Sequence, residues 1–265
     1  MKFALRAALV LSLLLATLLV WAGYLTASFF IPVAAIAKPA ANRSHLVVVY
    51  FSGDVGYKLG VGRMLGDRLA NDGIPTLAIN SLSYFRARRS LAEVRELTAN
   101  AITQALAFAH ADKVVLVGHS LGADVLQAGL IGLSPSLRAK VQAVALIVPT
   151  DMLYLQVSPG EMLGWSEPEG ATVPTLRRLD WVPFTCIYGI DETDSPCRLL
   201  DGSNFHRVGL PGGHALDWDI DAIHKVLLQA IDATHDSSNK TGLGDPVPRA
   251  IADAAHVDQK IYAEK

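Results

Sequence analysis

Apolar residues are distributed along the chain in three different patterns, each predicting a different kind of structure. Between Ala7 and Ala37 there is no charged side chain, and the Leu-rich part of this stretch, with Trp21 and Tyr24 at its end, predicts a helix apolar all round. Short runs of β-branched and aromatic residues then recur at His45–Phe51, Pro75–Asn80, Lys113–Gly118 and Val141–Val148. Such runs read as strands buried on both faces. Between them, Val61–Asn71 and Leu91–His110 place apolar residues at helical spacing, as at Leu97, Ala101, Ala105 and Phe108. Phe184–Tyr188 and Phe205–Leu210 predict two further strands, and Ile220–Ile231 a closing helix. Alternation of this kind predicts an α/β fold, a mainly parallel sheet flanked by helices, with ligands bound beyond the carboxyl ends of the strands. The rhythm breaks at Asp151–Trp181, rich in Pro, Gly, Met and Trp, which predicts a lid-like excursion over the sheet edge. The expected division is a membrane or signal segment at 1–40, one α/β domain at 41–235 and a loose tail at 236–265.

A bilayer crossing needs about 20 apolar residues, whereas a cleaved secretory core has about 7–15. Length therefore favours a membrane anchor over residues 7–31. The Ala35-Ile36-Ala37 pattern leaves a cleaved signal as the alternative. Both routes export the remainder of the chain. The basic residues on the two sides of the segment, Lys2 and Arg6 against Lys38 and Arg43, nearly balance and do not settle orientation.

Composition narrows the partners. With 265 residues, 51% of them hydrophobic, the chain fills a core and is not disordered. Lys and Arg number 23 against 25 Asp and Glu, a formal charge of −2, so no broad positive field exists for nucleic acid. Two cysteines, Cys186 and Cys197, offer too few ligands for a metal site. In an oxidising compartment they read as a local bridge, the alternative being two free thiols.

The chemistry-bearing motif is Gly118-His119-Ser120-Leu121-Gly122, directly after a predicted strand and before a predicted helix at Ala123–Leu133. Glycine on both sides lets the chain turn sharply from strand to helix and exposes the serine hydroxyl. The helix N-terminus and the Leu121 amide then face any negative charge that develops there. A nucleophilic serine needs a base, and the base a carboxylate; on such a sheet they follow in the order Ser, acid, His. Pro211-Gly212-Gly213-His214 follows one late strand and delivers the base. The loop Gly189-Ile190-Asp191-Glu192-Thr193-Asp194 follows another and offers three carboxylates. Glu192, three residues after the glycine, is the preferred acid, with Asp194 and then Asp191 as competitors. His119 should point away from the centre. The second oxyanion amide belongs to the loop after the first strand, at Asp54. Carboxylates of Asp54, Asp124 and Asp217 form a candidate acidic rim for a cationic substrate group, the plainer alternative for Asp124 being compensation of the helix dipole. Arg86, with Arg88 and Arg89, is a candidate contact for phosphate headgroups; a solvated charge run is the alternative. Nothing in this arrangement calls for a cofactor or a metal.

These residues together resemble the bacterial α/β-hydrolase family of the virulence proteins VirJ and AcvB. The resemblance spans about Leu46 to Ile231 and rests on Phe51-Ser52-Gly53-Asp54, Ser81-Leu82 with Tyr84-Phe85, Gly118 to Asp124, Cys186-Ile187-Tyr188-Gly189 with Glu192 and Cys197, and Leu210 to His214. It implies a periplasmic serine hydrolase without a cofactor and, for AcvB-like members, hydrolysis of aminoacyl-phosphatidylglycerol. Ser120, His214 and Glu192 or Asp194 take the catalytic roles by position. Three positions depart from the pattern: Val55 stands in place of glycine, Tyr57 of tryptophan and Ala215 of a second histidine. Two readings of another class or breadth stay open: a non-catalytic binding factor with secretion-system or virulence partners, built on a hydrolase scaffold, and a generic carboxylesterase or lipase.

Overall fold

In the central strands successive side chains point to opposite faces of the sheet, and both faces are covered. The computed structural model describes residues 2–26, 28–158, 160 and 165–236. Its strands are β1 (Phe30–Val33), β2 (Leu46–Phe51), β3 (Thr76–Ile79), β4 (Lys113–His119), β5 (Val141–Ile147), β6 (Met152–Leu153), β7 (Gly170–Ala171), β8 (Phe184–Gly189) and β9 (Phe205–Leu210). Its α-helices are α1 (Lys2–Ala22), α2 (Val61–Asn71), α3 (Ser81–Tyr84), α4 (Leu91–Ala109), α5 (Leu121–Leu130), α6 (Pro135–Arg138), α7 (Val173–Leu176) and α8 (Ile220–Asp236).

Seven strands form one sheet in the order β1-β3-β2-β4-β5-β8-β9. All neighbours are parallel except β1, which pairs antiparallel with β3. Val47, Val49 and Phe51 of β2 enter one core together with Leu97 and Ile102 of α4 and Leu126 of α5. Leu46, Val48 and Tyr50 enter the other, with Leu65 of α2 and Leu227 of α8. Burial on both faces explains the unbroken apolar runs of β2 and β4. Helix α4 begins where Ser90 and Glu93 close a reciprocal capping box, the Glu93 side chain accepting from the Ser90 amide at 2.8 Å.

The excursion at 151–181 carries the small antiparallel pair β6–β7 and helix α7. Of the expected tail at 236–265, only Asp236 lies within the described residues. The apolar N-terminus divides differently from the reading over 7–31. Helix α1 stops at Ala22, followed by Gly23 at φ 86°, and the part long and apolar enough to cross a membrane is Ala4–Ala22. Phe30 and Ile31 instead belong to edge strand β1, with Phe29 packed against Tyr84 at a ring separation of 4.8 Å. Pro32 sits in that strand because an edge leaves one row of backbone positions unpaired. The apolar N-terminal helix and the disulfide described below fit an exported protein.

Candidate active site

Ser120 alone makes the turn between β4 and α5, with φ 53° and ψ −126°, a conformation costly for any residue with a Cβ. Its amide donates to the Ile147 carbonyl at 2.9 Å, and its carbonyl accepts from the Ala123 amide at 2.7 Å. The flanking glycines are required by space. A Cβ at Gly118 would stand 2.5 Å from Ala123 Cα, and one at Gly122 would stand 2.2 Å from the Phe51 carbonyl oxygen. Helix α5 thus crosses directly over the end of β2.

The loop after β9 brings His214 to this serine. Ser120 Oγ lies 2.9 Å from His214 Nε2, and His214 Nδ1 lies 2.8 Å from Glu192 Oε1. The second carboxylate oxygen of Glu192 accepts from the Gly189 amide at 2.9 Å. An ionised Glu192 selects the tautomer with hydrogen on Nδ1, so that Nε2 accepts the serine proton. Only 8% of the Glu192 side chain is exposed, whereas Asp191 and Asp194 are exposed to solvent. Of the three carboxylates in this loop, the structure brings Glu192 to the imidazole, and Asp194 points into water instead. Backbone bonds from Ile190 to Leu210 and from Asp191 to Gly212 tie the acid loop to the base loop. The Cys186–Cys197 disulfide joins β8 to the far side of the same loop, with the two Cα atoms 5.7 Å apart.

The loop after β2 closes the other side. A Cβ at Gly53 would stand 3.5 Å from Ser120 Cβ, and Asp54 and Leu121 line one cavity with Ser120 and His214. Leu121 opens α5, in the turn whose amides have no acceptor within the helix. The Asp54 carboxylate accepts from the Val55 amide at 2.9 Å.

This cavity measures about 380 Å³, and among the described residues its lining includes Asp54, Asp124, Asp151, Met152 and Tyr154 but neither Lys nor Arg. Asp124 is buried, and its carboxylate accepts from the Thr150 amide at 2.9 Å and the Thr150 hydroxyl at 2.7 Å. It therefore fixes the loop after β5, a role beyond compensating the helix dipole. Two residues of the expected substrate site stand elsewhere. Asp217 is absent from the lining: its backbone turns at φ 49° and its carboxylate tucks against Gly212, where a Cβ would meet Oδ1 at 2.3 Å. Arg86 donates to the Tyr24 carbonyl at 2.8 Å, while Arg88 pairs with Glu169 and Arg89 with Glu93.

His119 does not line the cavity, yet it does not leave the centre. Its Nδ1 would stand 3.3 Å from a Cβ at Gly53. Burial, with a smaller contribution from the His214 charge, pulls its imidazole down to about 4, so it is neutral at pH 7. A neutral ring here leaves the charge that forms on His214 unopposed.

The model of the bacterial virulence protein family VirJ matches residues 45–235. The chain belongs to the VirJ family. No curated protein sequence matches it. Among solved structures it is similar to a lipase-esterase related protein from Clostridium acetobutylicum, at 14% identity and a TM-score of 0.55, covering 77% of this chain and 100% of the other. It is also similar to the Bacillus licheniformis lipase BlEst2, at 9% identity, a TM-score of 0.54 and coverage of 77% and 98%. MenH from S. aureus gives 10% identity, a TM-score of 0.54 and coverage of 78% and 99%. These likenesses identify the α/β-hydrolase fold.

Of the three positions expected to depart from the family pattern, two adjoin the site and one lies in the core. Val55 is exposed on the Asp54 loop, and Ala215 is exposed beside His214. Tyr57 is buried against Tyr50, with ring centroids 6.2 Å apart, and burial pushes its hydroxyl up to about 12. Sequence reasoning missed Thr150, which holds Asp124, and Asn80, whose Oδ1 accepts from the Tyr57 amide at 3.3 Å and whose Nδ2 donates to the Ala22 carbonyl at 3.0 Å. For Asn80 a signal existed, a polar residue at the carboxyl end of a predicted strand. For Thr150 none did.

Proposed function

We propose that the chain is an exported serine hydrolase that cleaves the aminoacyl ester of aminoacyl-phosphatidylglycerol, the lysyl ester above all. In this reading α1 stays as an inner-membrane anchor and the α/β domain lies in the periplasm. The observation that carries the reading is the continuous relay from Ser120 Oγ through His214 to Glu192, with separations of 2.9 and 2.8 Å.

His214 Nε2 takes the proton from Ser120 as Oγ attacks the ester carbonyl, and the imidazolium is stabilised by Glu192. The Leu121 and Asp54 amides receive the oxyanion. Collapse breaks the bond to the glycerol oxygen, which leaves with the proton from His214. Water then attacks the aminoacyl-serine, its proton passing to His214 and back to Ser120. The lining, acidic at Asp54, Asp124 and Asp151, suits an acyl group that carries ammonium charges.

Retention of α1 is favoured by β1. Cleavage after Ala37 would remove this strand with its four-residue pairing to β3 and the Phe29 contact to Tyr84. The direct test is turnover of lysyl-phosphatidylglycerol by purified full-length protein and by Ser120→Ala. Release of lysine by the first and not the second is expected. Turnover of simple acyl esters with none of the aminoacyl lipid would replace this substrate by a generic one, and no turnover of either would favour a binding factor.

A further inference from the structure

The membrane-crossing helix meets the folded body at the catalytic edge of the sheet. Helix α1 is exposed from Ala4 to Trp21 apart from a half-buried Leu19, so it projects from the body and touches it through its last turn. There the Trp21 carbonyl accepts from Lys58 Nζ at 3.1 Å, the Ala22 carbonyl from Asn80 Nδ2 at 3.0 Å, and the Tyr24 carbonyl from Arg86 at 2.8 Å. The Ser83 hydroxyl donates to the Thr26 carbonyl at 3.1 Å. Every one of these donors follows the carboxyl end of β2 or β3, the end of the sheet that also carries Ser120. Strand β1 runs antiparallel for the same reason: the chain enters the domain at the carboxyl edge and must travel back along β3.

Trp21 and Tyr24 mark the level of the lipid–water interface, where amphipathic rings collect. Between Lys58, bonded to Trp21, and Gly53, packed on Ser120, lie only residues 54–57 of one loop. Exposed apolar side chains stand on this edge in the loops after β2 (Val55 and Leu59), β8 (Ile190) and β9 (Trp218, 59% exposed), and at the start of β6 (Met152). Lys58 and Arg86 are exposed beside the helix end, where phosphates of the headgroups lie.

We infer that the mouth of the Ser120 cavity faces the bilayer in which α1 is anchored, with Leu59, Val55 and Trp218 seated in its interface, so that lipid headgroups enter directly from the membrane surface. This orientation rests on the retained anchor proposed above and on no particular substrate. The occupant of the apolar edge is the lipid surface itself, because the span that fixes the distance is continuous with that edge.

Labels on single cysteines test it. The native cysteines are bonded to each other, so Leu59→Cys, Trp218→Cys and, at the opposite edge, Lys140→Cys are labelled selectively with bimane in the full chain carrying Ser120→Ala. The protein is reconstituted into vesicles of phosphatidylethanolamine and phosphatidylglycerol, with or without lipids bearing a nitroxide near the headgroup. Labels at 59 and 218 should be quenched about twofold or more, as side chains at the acyl boundary are, and the label at 140 left unchanged. Leu59→Cys and Trp218→Cys report independently should one fail to fold. Protein that floats with the vesicles but shows the same quenching at all three positions overturns the orientation alone. Protein that does not float, or whose isolated form starts beyond residue 22, overturns the retained anchor and the orientation with it.

Discussion

Glu192 divides its carboxylate between His214 and the chain that precedes it: Oε1 lies 2.8 Å from His214 Nδ1, and Oε2 accepts from the Gly189 amide at 2.9 Å. One group thus fixes the tautomer of the imidazole and is itself fixed by backbone. Glu192→Gln keeps the size but offers an amide that cannot enforce the tautomer. It should lower kcat on any ester by about 10³- to 10⁴-fold. Asp194→Asn, at an exposed position without contact to His214, should leave kcat within about twofold. Comparison of the two variants by steady-state kinetics checks the assignment.

The disulfide closes the loop that carries Glu192. Replacing both Cys186 and Cys197 by Ala should cost about 3 kcal/mol in urea unfolding by the loop-entropy relation. The variant should also lose kcat, because the acid loop then depends on its backbone ties to the His214 loop alone.

Steric room at the turn is testable through Gly122→Ala. The added Cβ would fall 2.2 Å from the Phe51 carbonyl oxygen, so strand β2 or helix α5 must move. A loss of about 1–3 kcal/mol or failure to fold is expected, measured as soluble yield and unfolding midpoint.

Asp124 and Asp151 both line the cavity but should respond differently. Asp124→Ala leaves the half-buried Thr150 amide and hydroxyl without their acceptor and should destabilise by about 1–3 kcal/mol. Asp151→Asn should leave stability within about 0.5 kcal/mol. It should raise KM for a lysyl ester several-fold, with that for an uncharged ester unchanged.

His119 gives a pH prediction with a definite sign. Its folded imidazole sits near 4, below the usual 6.5, so the unfolded chain binds a proton that the native one refuses. Its contribution to stability is complete above about 6.5 and is lost as pH falls through about 4. His119→Gln should flatten the stability decline between those values in urea titrations at stepped pH.

Much of this architecture is legible in the sequence because each strand of the parallel sheet is a continuous apolar run and because the turn at Ser120 needs two glycines. The edge strand β1 is not. Phe30 and Ile31 continue the apolar run of the membrane segment, and only pairing with β3 separates them. The acid is ambiguous for a similar reason. Asp191, Glu192 and Asp194 share one short loop, and the choice depends on the Gly189 amide and on the turn closed by the disulfide. Asp217 and Arg86 follow strands whose carboxyl ends face the site, but the direction of each side chain is set by packing that the sequence does not display, against Gly212 for the first and the Tyr24 carbonyl for the second.

The central claim is that Ser120 is a nucleophile activated by His214. Incubation of the purified chain with a fluorophosphonate, followed by intact-mass and peptide analysis, tests it directly. One adduct on Ser120, absent in Ser120→Ala and formed far more slowly in His214→Ala, is the predicted result. An unmodified Ser120 in folded wild-type protein, or labelling at equal rate without His214, would contradict it.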